Sequence, residues 1–168
     1  NDALPTKYPD RISLPDSTSN AGLGALNTEM EYGCLTDLHK FEGYAWFRRE
    51  VEIIPEMSGK NLTLFLERTR KTRVYIDGNQ IGEYCSLCTP HRYDLTGLPA
   101  GKHELIIRVD NTDYPTGGGH LTSRDAQTNW NGIVGRIELQ SYSAYPEYVY
   151  AIPDPDRKSL HVRAKIRG

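Results

Sequence analysis

Between Gly117 and Gln140 the chain reads Gly-Gly-Gly-His-Leu-Thr-Ser-Arg-Asp-Ala-Gln-Thr-Asn-Trp-Asn-Gly-Ile-Val-Gly-Arg-Ile-Glu-Leu-Gln. Three glycines open it with a backbone free of Cβ constraints. His120, Asp125, Gln127, Asn129 and Asn131 then gather around a single large aromatic, Trp130. Amide and carboxylate groups can hydrogen-bond the hydroxyls of a polyol, and an indole can stack on the apolar face of a sugar ring. A carbohydrate is the ligand that this composition suits. The competing reading is a Gly-rich turn whose Trp packs into the core beneath it.

Such a loop needs a scaffold. After Gly132, Ile133, Gly135, Ile137 and Leu139 alternate with Val134, Arg136, Glu138 and Gln140, the period of a half-buried strand. Tyr44 to Ile54 predicts another strand, ended by Pro55, and Asn61 to Glu67 alternates Leu62, Leu64 and Leu66 with Thr63, Phe65 and Glu67. Val74 to Tyr84 carries Asp77-Gly78, a strong hairpin signal. Pro90 to Leu98 and Lys102 to Asp110 complete the set, with His91 and Tyr93 as same-face core neighbours and Leu105, Ile107 and Val109 facing inward. The one weak helical pattern, Glu29 to Leu38, contains Gly33. Spaced strands with Gly/Pro turns predict an all-β sandwich, preceded by an extended lead-in that reaches about Gly43. Beyond Leu139, Ser-Tyr-Ser-Ala-Tyr-Pro marks a boundary, and Leu160 to Ile166 reads as a strand whose partners are missing.

At 168 residues the chain has room for one domain with a proper core and a fragment of a second. A formal net charge of -2 and no run of more than two Lys/Arg argue against nucleic acid and anionic membranes as partners. No apolar stretch is long enough to span a bilayer. Cys34, Cys85 and Cys88 make an odd count, which leaves the compartment open. Cys85-Ser-Leu-Cys88 lacks a second pair for zinc, and Thr89-Pro90 follows it where a catalytic dithiol would want a helix N-terminus. Two side chains in a loop are expected there. Asp110-Asn-Thr-Asp113 offers oxygen ligands without a defined calcium loop, and no metal or cofactor is expected.

Gly43-Tyr-Ala-Trp-Phe-Arg-Arg49, Leu66-Glu-Arg-Thr69, Val74-Tyr-Ile-Asp-Gly78, Ser86-Leu-Cys-Thr-Pro-His91 with Tyr93-Asp-Leu-Thr96, Ile107-Arg-Val-Asp-Asn111 and Gln127-Thr-Asn-Trp-Asn-Gly-Ile133 occur in order. Together they resemble the N-terminal sugar-binding domain of glycoside hydrolase family 2, the β-galactosidase, β-glucuronidase and β-mannosidase group, over roughly Arg11 to Leu139. Phe47 stands where a Tyr is common, and Cys85 and Cys88 where small or polar residues are usual. The resemblance implies a jelly-roll β-sandwich over residues 1–143. It also implies a linker and the first strands of a truncated immunoglobulin-like domain over 144–168. In the whole enzyme a (β/α)8 barrel with two catalytic glutamates would follow. The family's acid/base glutamate follows an Asn, and this chain has no Asn-Glu dipeptide. No catalytic residue is therefore assigned, and the catalytic barrel is expected to be absent.

The expected function is an accessory domain of a β-glycosidase, most nearly β-galactosidase-like, that lends a loop to the substrate site. A β-glycoside and the remaining domains of the same polypeptide are its expected partners, in a periplasmic or secreted setting in preference to the cytoplasm. The candidate sugar contacts are Asp125, Asn129, Trp130, Asn131 and His120. Asp125 leads, because family members project an Asp or a neighbouring polar group from this loop. Trp130 is favoured as packing at the loop base, and Asn129 and Asn131 are left between loop backbone and ligand. Arg48, Arg49, Glu67 and Arg68 are candidates for cross-strand charge pairs. Alternatives are a stand-alone carbohydrate-binding module and a purely structural domain that buttresses the barrel. A retaining glycosidase needs two carboxyls about 5 Å apart, and no such pair stands out here. The purified chain is thus expected to leave nitrophenyl β-galactosides and β-glucuronides intact; turnover abolished by one Asp or Glu substitution would overturn this.

Overall fold

The fold is that of a computed structural model, which describes residues 3–26, 39–113 and 130–168. Its strands are β1 (Asp16–Ser17), β2 (Ala25–Leu26), β3 (His39–Lys40), β4 (Tyr44–Ile53), β5 (Asn61–Leu66), β6 (Lys71–Ile76) and β7 (Asn79–Tyr84). They continue with β8 (His91–Asp94), β9 (Gly101–Asp110), β10 (Gly132–Ile133), β11 (Ile137–Tyr142), β12 (Tyr145–Asp154) and β13 (Ser159–Arg167). Among the described residues there is no helix. The Glu29 to Leu38 pattern lies outside them.

Two antiparallel sheets dominate, one ordered β4-β9-β6-β7 and the other β11-β5-β8. Period-2 alternation explains how they meet, since every second side chain of a strand points to the same face. Leu62, Leu64, Leu66 and Tyr93 from the smaller sheet share one buried cluster with Ile53, Val74, Ile76, Leu105, Ile107 and Val109 from the larger. Two sheets over one core make a β-sandwich. The expected hairpin is present: Asp77 and Gly78 sit at φ 49° and 79°, as a tight two-residue turn between β6 and β7 requires.

Two expectations change. The strand after Gly132 is not continuous. Gly135 passes so close to β5 that a Cβ there would lie 2.6 Å from the carbonyl oxygen of Glu67, and the ladder breaks between β10 and β11. Leu160 to Ile166 does not lack a partner, because β13 pairs along its length with β12. The resulting ribbon stands in solvent, with Val149, Leu160 and Val162 each more than half exposed. Two of the expected cross-strand charge pairs are present: Arg48 reaches Glu104 on β9, and Glu67 reaches Arg136.

The lead-in crosses the open seam between edge strands β4 and β11. Ile12 and Leu14 line a crevice of about 760 Å³ there, together with Tyr8, Trp46, Phe47 and Ile137. At the opposite edge, Tyr84 stacks on His91 with ring centroids 5.2 Å apart and meets Tyr93 edge-on. His91 and Tyr93 are both buried, as same-face neighbours should be. Burial pushes the His91 pKa down and keeps the ring neutral. Its Nε2 donates to the Ser86 carbonyl (2.7 Å), so Nδ1 accepts from the Thr72 hydroxyl (2.5 Å). Tyr93 Oη in turn donates to the Thr72 carbonyl at 3.0 Å.

His91 therefore couples stability to pH. The unfolded ring takes up a proton near its ordinary value of about 6.5 while the folded ring refuses it, so this contribution is complete above that pH and declines as pH falls toward the depressed folded pKa. His103 has the opposite sign, because its bond to Asp77 raises its pKa. The difference between wild type and His91→Ala cancels the His103 contribution. Urea unfolding at pH 8 should show His91→Ala less stable by roughly 3 kcal/mol, from the cavity and the stranded Thr72 and Ser86 groups. The gap should narrow at pH 5.5; a constant gap would refute the buried neutral ring.

Candidate functional site

The described part of the predicted site is the base of the loop. It comprises the residues that follow β9, which ends at Asp110, and those that precede β10, which starts at Gly132. Asn111 and Asn131 are both buried, and Asn131 Nδ2 lies 3.4 Å from Asn111 Oδ1. The same Asn131 amide donates to the carbonyls of Gly43 (3.0 Å) and Val109 (3.1 Å). Asn111 donates to the Phe41 carbonyl (2.7 Å) and accepts from the Gly43 amide (2.9 Å). Most buried polar groups in folded proteins are hydrogen-bonded. Here the pairing ties the two ends of segment 112–130 to each other and to the connection between β3 and β4.

A second set of contacts fixes the returning strand. Asn131 accepts from the amide and the hydroxyl of Thr18, at 2.9 and 3.3 Å. Thr69 donates its hydroxyl to the Gly132 carbonyl at 2.9 Å. Gly132 holds φ +123°, and a Cβ there would lie 2.5 Å from the Asp16 carbonyl oxygen. Only glycine lets β1 and β10 approach this closely. Buried Arg70 completes the base, with Nε donating to the Trp130 carbonyl (3.1 Å) and its guanidinium 4.5 Å from the indole centroid.

Of the residues predicted to touch a sugar, His120, Asp125 and Asn129 lie outside the described residues. Trp130 is half-buried against Arg70. The Asn131 amide nitrogen donates to the backbone carbonyls of Gly43 and Val109. Sequence reasoning did not single out Asn111, Arg70 or Thr69 as site residues. The available signal was that Thr69 and Asn111 each end a motif that carries the family resemblance, with Arg70 directly after the first.

At the departing end, Asp110 Oδ1 accepts from the amide and hydroxyl of Thr112, at 2.8 and 2.7 Å. That is a local cap that draws the carboxylate onto its own loop. Among the described residues no group of three or more His, Cys, Asp or Glu side chains is placed to hold a metal ion. Lys71 joins Asp113 (2.9 Å) to Glu83 (3.2 Å), and the Asp113 bond raises its pKa. The strand acids Glu50, Glu67 and Glu104 are paired with Lys102, Arg136 and Arg48, the surface roles expected of them.

The outer face of the larger sheet is less exposed than alternation predicts. Ile106, Arg108 and Asp110 of β9 are buried, although they point away from Leu105, Ile107 and Val109. The Arg108 guanidinium lies 4.5 Å from the Tyr44 ring centroid and 5.9 Å from that of Trp46, and Trp46 meets Tyr75 at 6.0 Å. The base of the loop therefore rests on a strand covered on both faces.

The clamp should dominate stability. Gly132→Ala forces a Cβ into backbone, and Asn131→Ala leaves two carbonyls without their donor; each should cost roughly 3 kcal/mol or more in urea unfolding. Trp130→Ala should cost less, because its ring is only half-buried. Asn131→Ala at wild-type stability would show that the loop ends are not held this way.

No family model matches the chain, and no curated protein matches it. Solved structures do. A Faecalibacterium prausnitzii β-glucuronidase aligns with 97% of the chain and 32% of its own length, at 20% identity and TM-score 0.67. A family 2 β-galacturonidase from Eisenbergiella tayi, bound to galacturonate, aligns with 75% of the chain and 22% of its own length, at 22% identity and TM-score 0.55. A β-D-mannosidase from Dictyoglomus thermophilum aligns with 72% and 19%, at 17% identity and TM-score 0.54. The chain spans about a third or less of the structures it matches. Its fold is that of the N-terminal β domain of glycoside hydrolase family 2 enzymes.

Proposed function

We propose that the chain is the non-catalytic N-terminal domain of a retaining family 2 β-glycosidase and that it contributes the 112–130 loop to the substrate site. The observation that carries this is the buried Asn111–Asn131 clamp, which closes a long polar segment at one end of a sandwich with the fold of such domains. A loop whose ends are locked can present side chains to a neighbouring domain at low ordering cost. In this reading residues 1–143 form the jelly-roll domain. Residues 144–168 are the linker and opening strands of an immunoglobulin-like domain, to which the solvent-facing β12–β13 ribbon would belong.

The substrate is a β-glycoside. The expected β-galactosidase character draws no support from the structures named above, which are a β-glucuronidase, a β-galacturonidase and a β-D-mannosidase, so uronides and mannosides belong beside galactosides in any substrate screen. Asp125 is the loop residue proposed to hydrogen-bond the sugar, as the only carboxylate between Gly119 and Ile133. A carboxylate accepting two hydroxyl hydrogen bonds both orients the ring and tightens as charge develops.

In the full-length enzyme Asp125→Ala should lower kcat/KM by roughly 10²-fold, the scale of losing a charge-assisted hydrogen bond worth about 3 kcal/mol, with Tm near wild type. A fall in Tm with normal kinetics per folded molecule would make Asp125 a loop cap instead. Wild-type values of both would remove it from the site.

A further inference from the structure

The connection from β7 to β8 carries chemistry that the proposed function does not use. It runs from Cys85 to Pro90, between the edge strand of the larger sheet and the edge strand of the smaller one. Cys85 and Cys88 are both free and exposed. We propose that these two thiols are a modification site: they close to a reversible intrachain disulfide by exchange with a small-molecule disulfide of the glutathione type.

The geometry is local and already folded back. Ser86 Oγ and Thr89 Oγ1, on the residues that follow the two cysteines, are 2.6 Å apart. The chain therefore folds back between Ser86 and Thr89, one position along from the cysteine pair, and bends through residues 87–89. A four-residue reversal brings its end Cα atoms within about 7 Å, and a disulfide takes Cα separations of roughly 4.4–6.8 Å. The neck of the connection is pinned as well. Tyr84 stacks on His91, and the His91 Nε2 proton is donated to the Ser86 carbonyl, between the two cysteines in sequence. The sandwich thus holds the motif by both ends, limiting how far the thiols can separate.

The step balances without any protein-borne oxidant. One thiolate attacks a sulfur of the small disulfide, whose S–S bond breaks to release one thiol and leave a mixed disulfide on the protein. The second thiolate displaces the remaining small thiol and forms the Cys85–Cys88 bond. The protein loses two electrons and two protons; the small disulfide gains them as two thiols. This is modification of the domain itself, not oxidoreductase catalysis, since among the described residues there is no helix whose N-terminus could activate either thiol.

The test equilibrates the purified chain with reduced and oxidised glutathione, quenches in acid, alkylates free thiols and maps tryptic peptides without reduction. Residues 74–92 fall in one peptide that holds both cysteines. In oxidising buffer it should be recovered unalkylated and lighter by two hydrogens. Cys34→Ser should not change this, and Cys85→Ser should instead trap glutathione on Cys88. The folded chain should reach half-oxidation at a glutathione ratio about tenfold less oxidising than the same chain in denaturant, because the fold holds the thiols close. Peptide 74–92 doubly alkylated throughout, linkage of either cysteine to Cys34, or equal ratios for folded and denatured chain would each overturn the proposal.

Discussion

The hydrogen bonding of Asn131 is the constraint on which the loop end of the molecule depends. One side-chain amide group serves the carbonyls of Gly43 and Val109, while the Asn131 carbonyl receives Thr18. Four stretches far apart in sequence meet at a buried point. Closing a segment as long as 112–130 costs roughly 3 kcal/mol of chain entropy. A typical intramolecular hydrogen bond returns about 1 kcal/mol net, so no single contact would hold the ends, whereas the combined bonds of Asn111, Asn131 and Thr18 reach that scale. The close approach of β1 to β10 follows from the same demand, and with it the glycine at 132.

Burial on both faces of β9 gives this clamp something rigid to bind. Val109 faces the sandwich core, and Arg108 beside it lies between Tyr44 and Trp46 on the outer face. A buried guanidinium is costly unless aromatic faces and acceptors replace its water, and stacking supplies part of that replacement. Glu83 adds charge from β7, at 3.9 Å from Arg108 and in a closer pair with Arg73. The same sheet thus has an apolar inner face that makes the domain and a cationic-aromatic outer face that stiffens the strand leading into the loop.

Much of the scaffold was legible in the sequence because it follows period-2 patterning. Leu62, Leu64 and Leu66, or Leu105, Ile107 and Val109, point one way whatever their neighbours, and Asp77-Gly78 specifies its own turn. The break at Gly135 was not legible, since it arises from contact with Glu67, nearly seventy residues away, and an alternation of Ile133, Gly135 and Ile137 carries no trace of it. The pairing of β13 with β12 was missed for a different reason. Tyr145–Asp154 contains Pro146 and Pro153, which demote a strand pattern, yet an exposed two-stranded ribbon tolerates proline on its outward positions. At the candidate site, asparagines were ambiguous by nature: the same amide that suits a sugar hydroxyl suits a backbone carbonyl, and burial decides between them.

The division of labour that emerges separates motif from contact. The motifs that contain Thr69, Asn111 and Asn131 carry the family resemblance, and in the structure those residues bind backbone and one another. In the proposed function, sugar recognition falls to the middle of segment 112–130. This arrangement suits a domain outside the chemistry. A loop tip can change its side chains to match a different glycoside without touching the clamp, because the clamp speaks only to main-chain carbonyls and amides that every sequence provides.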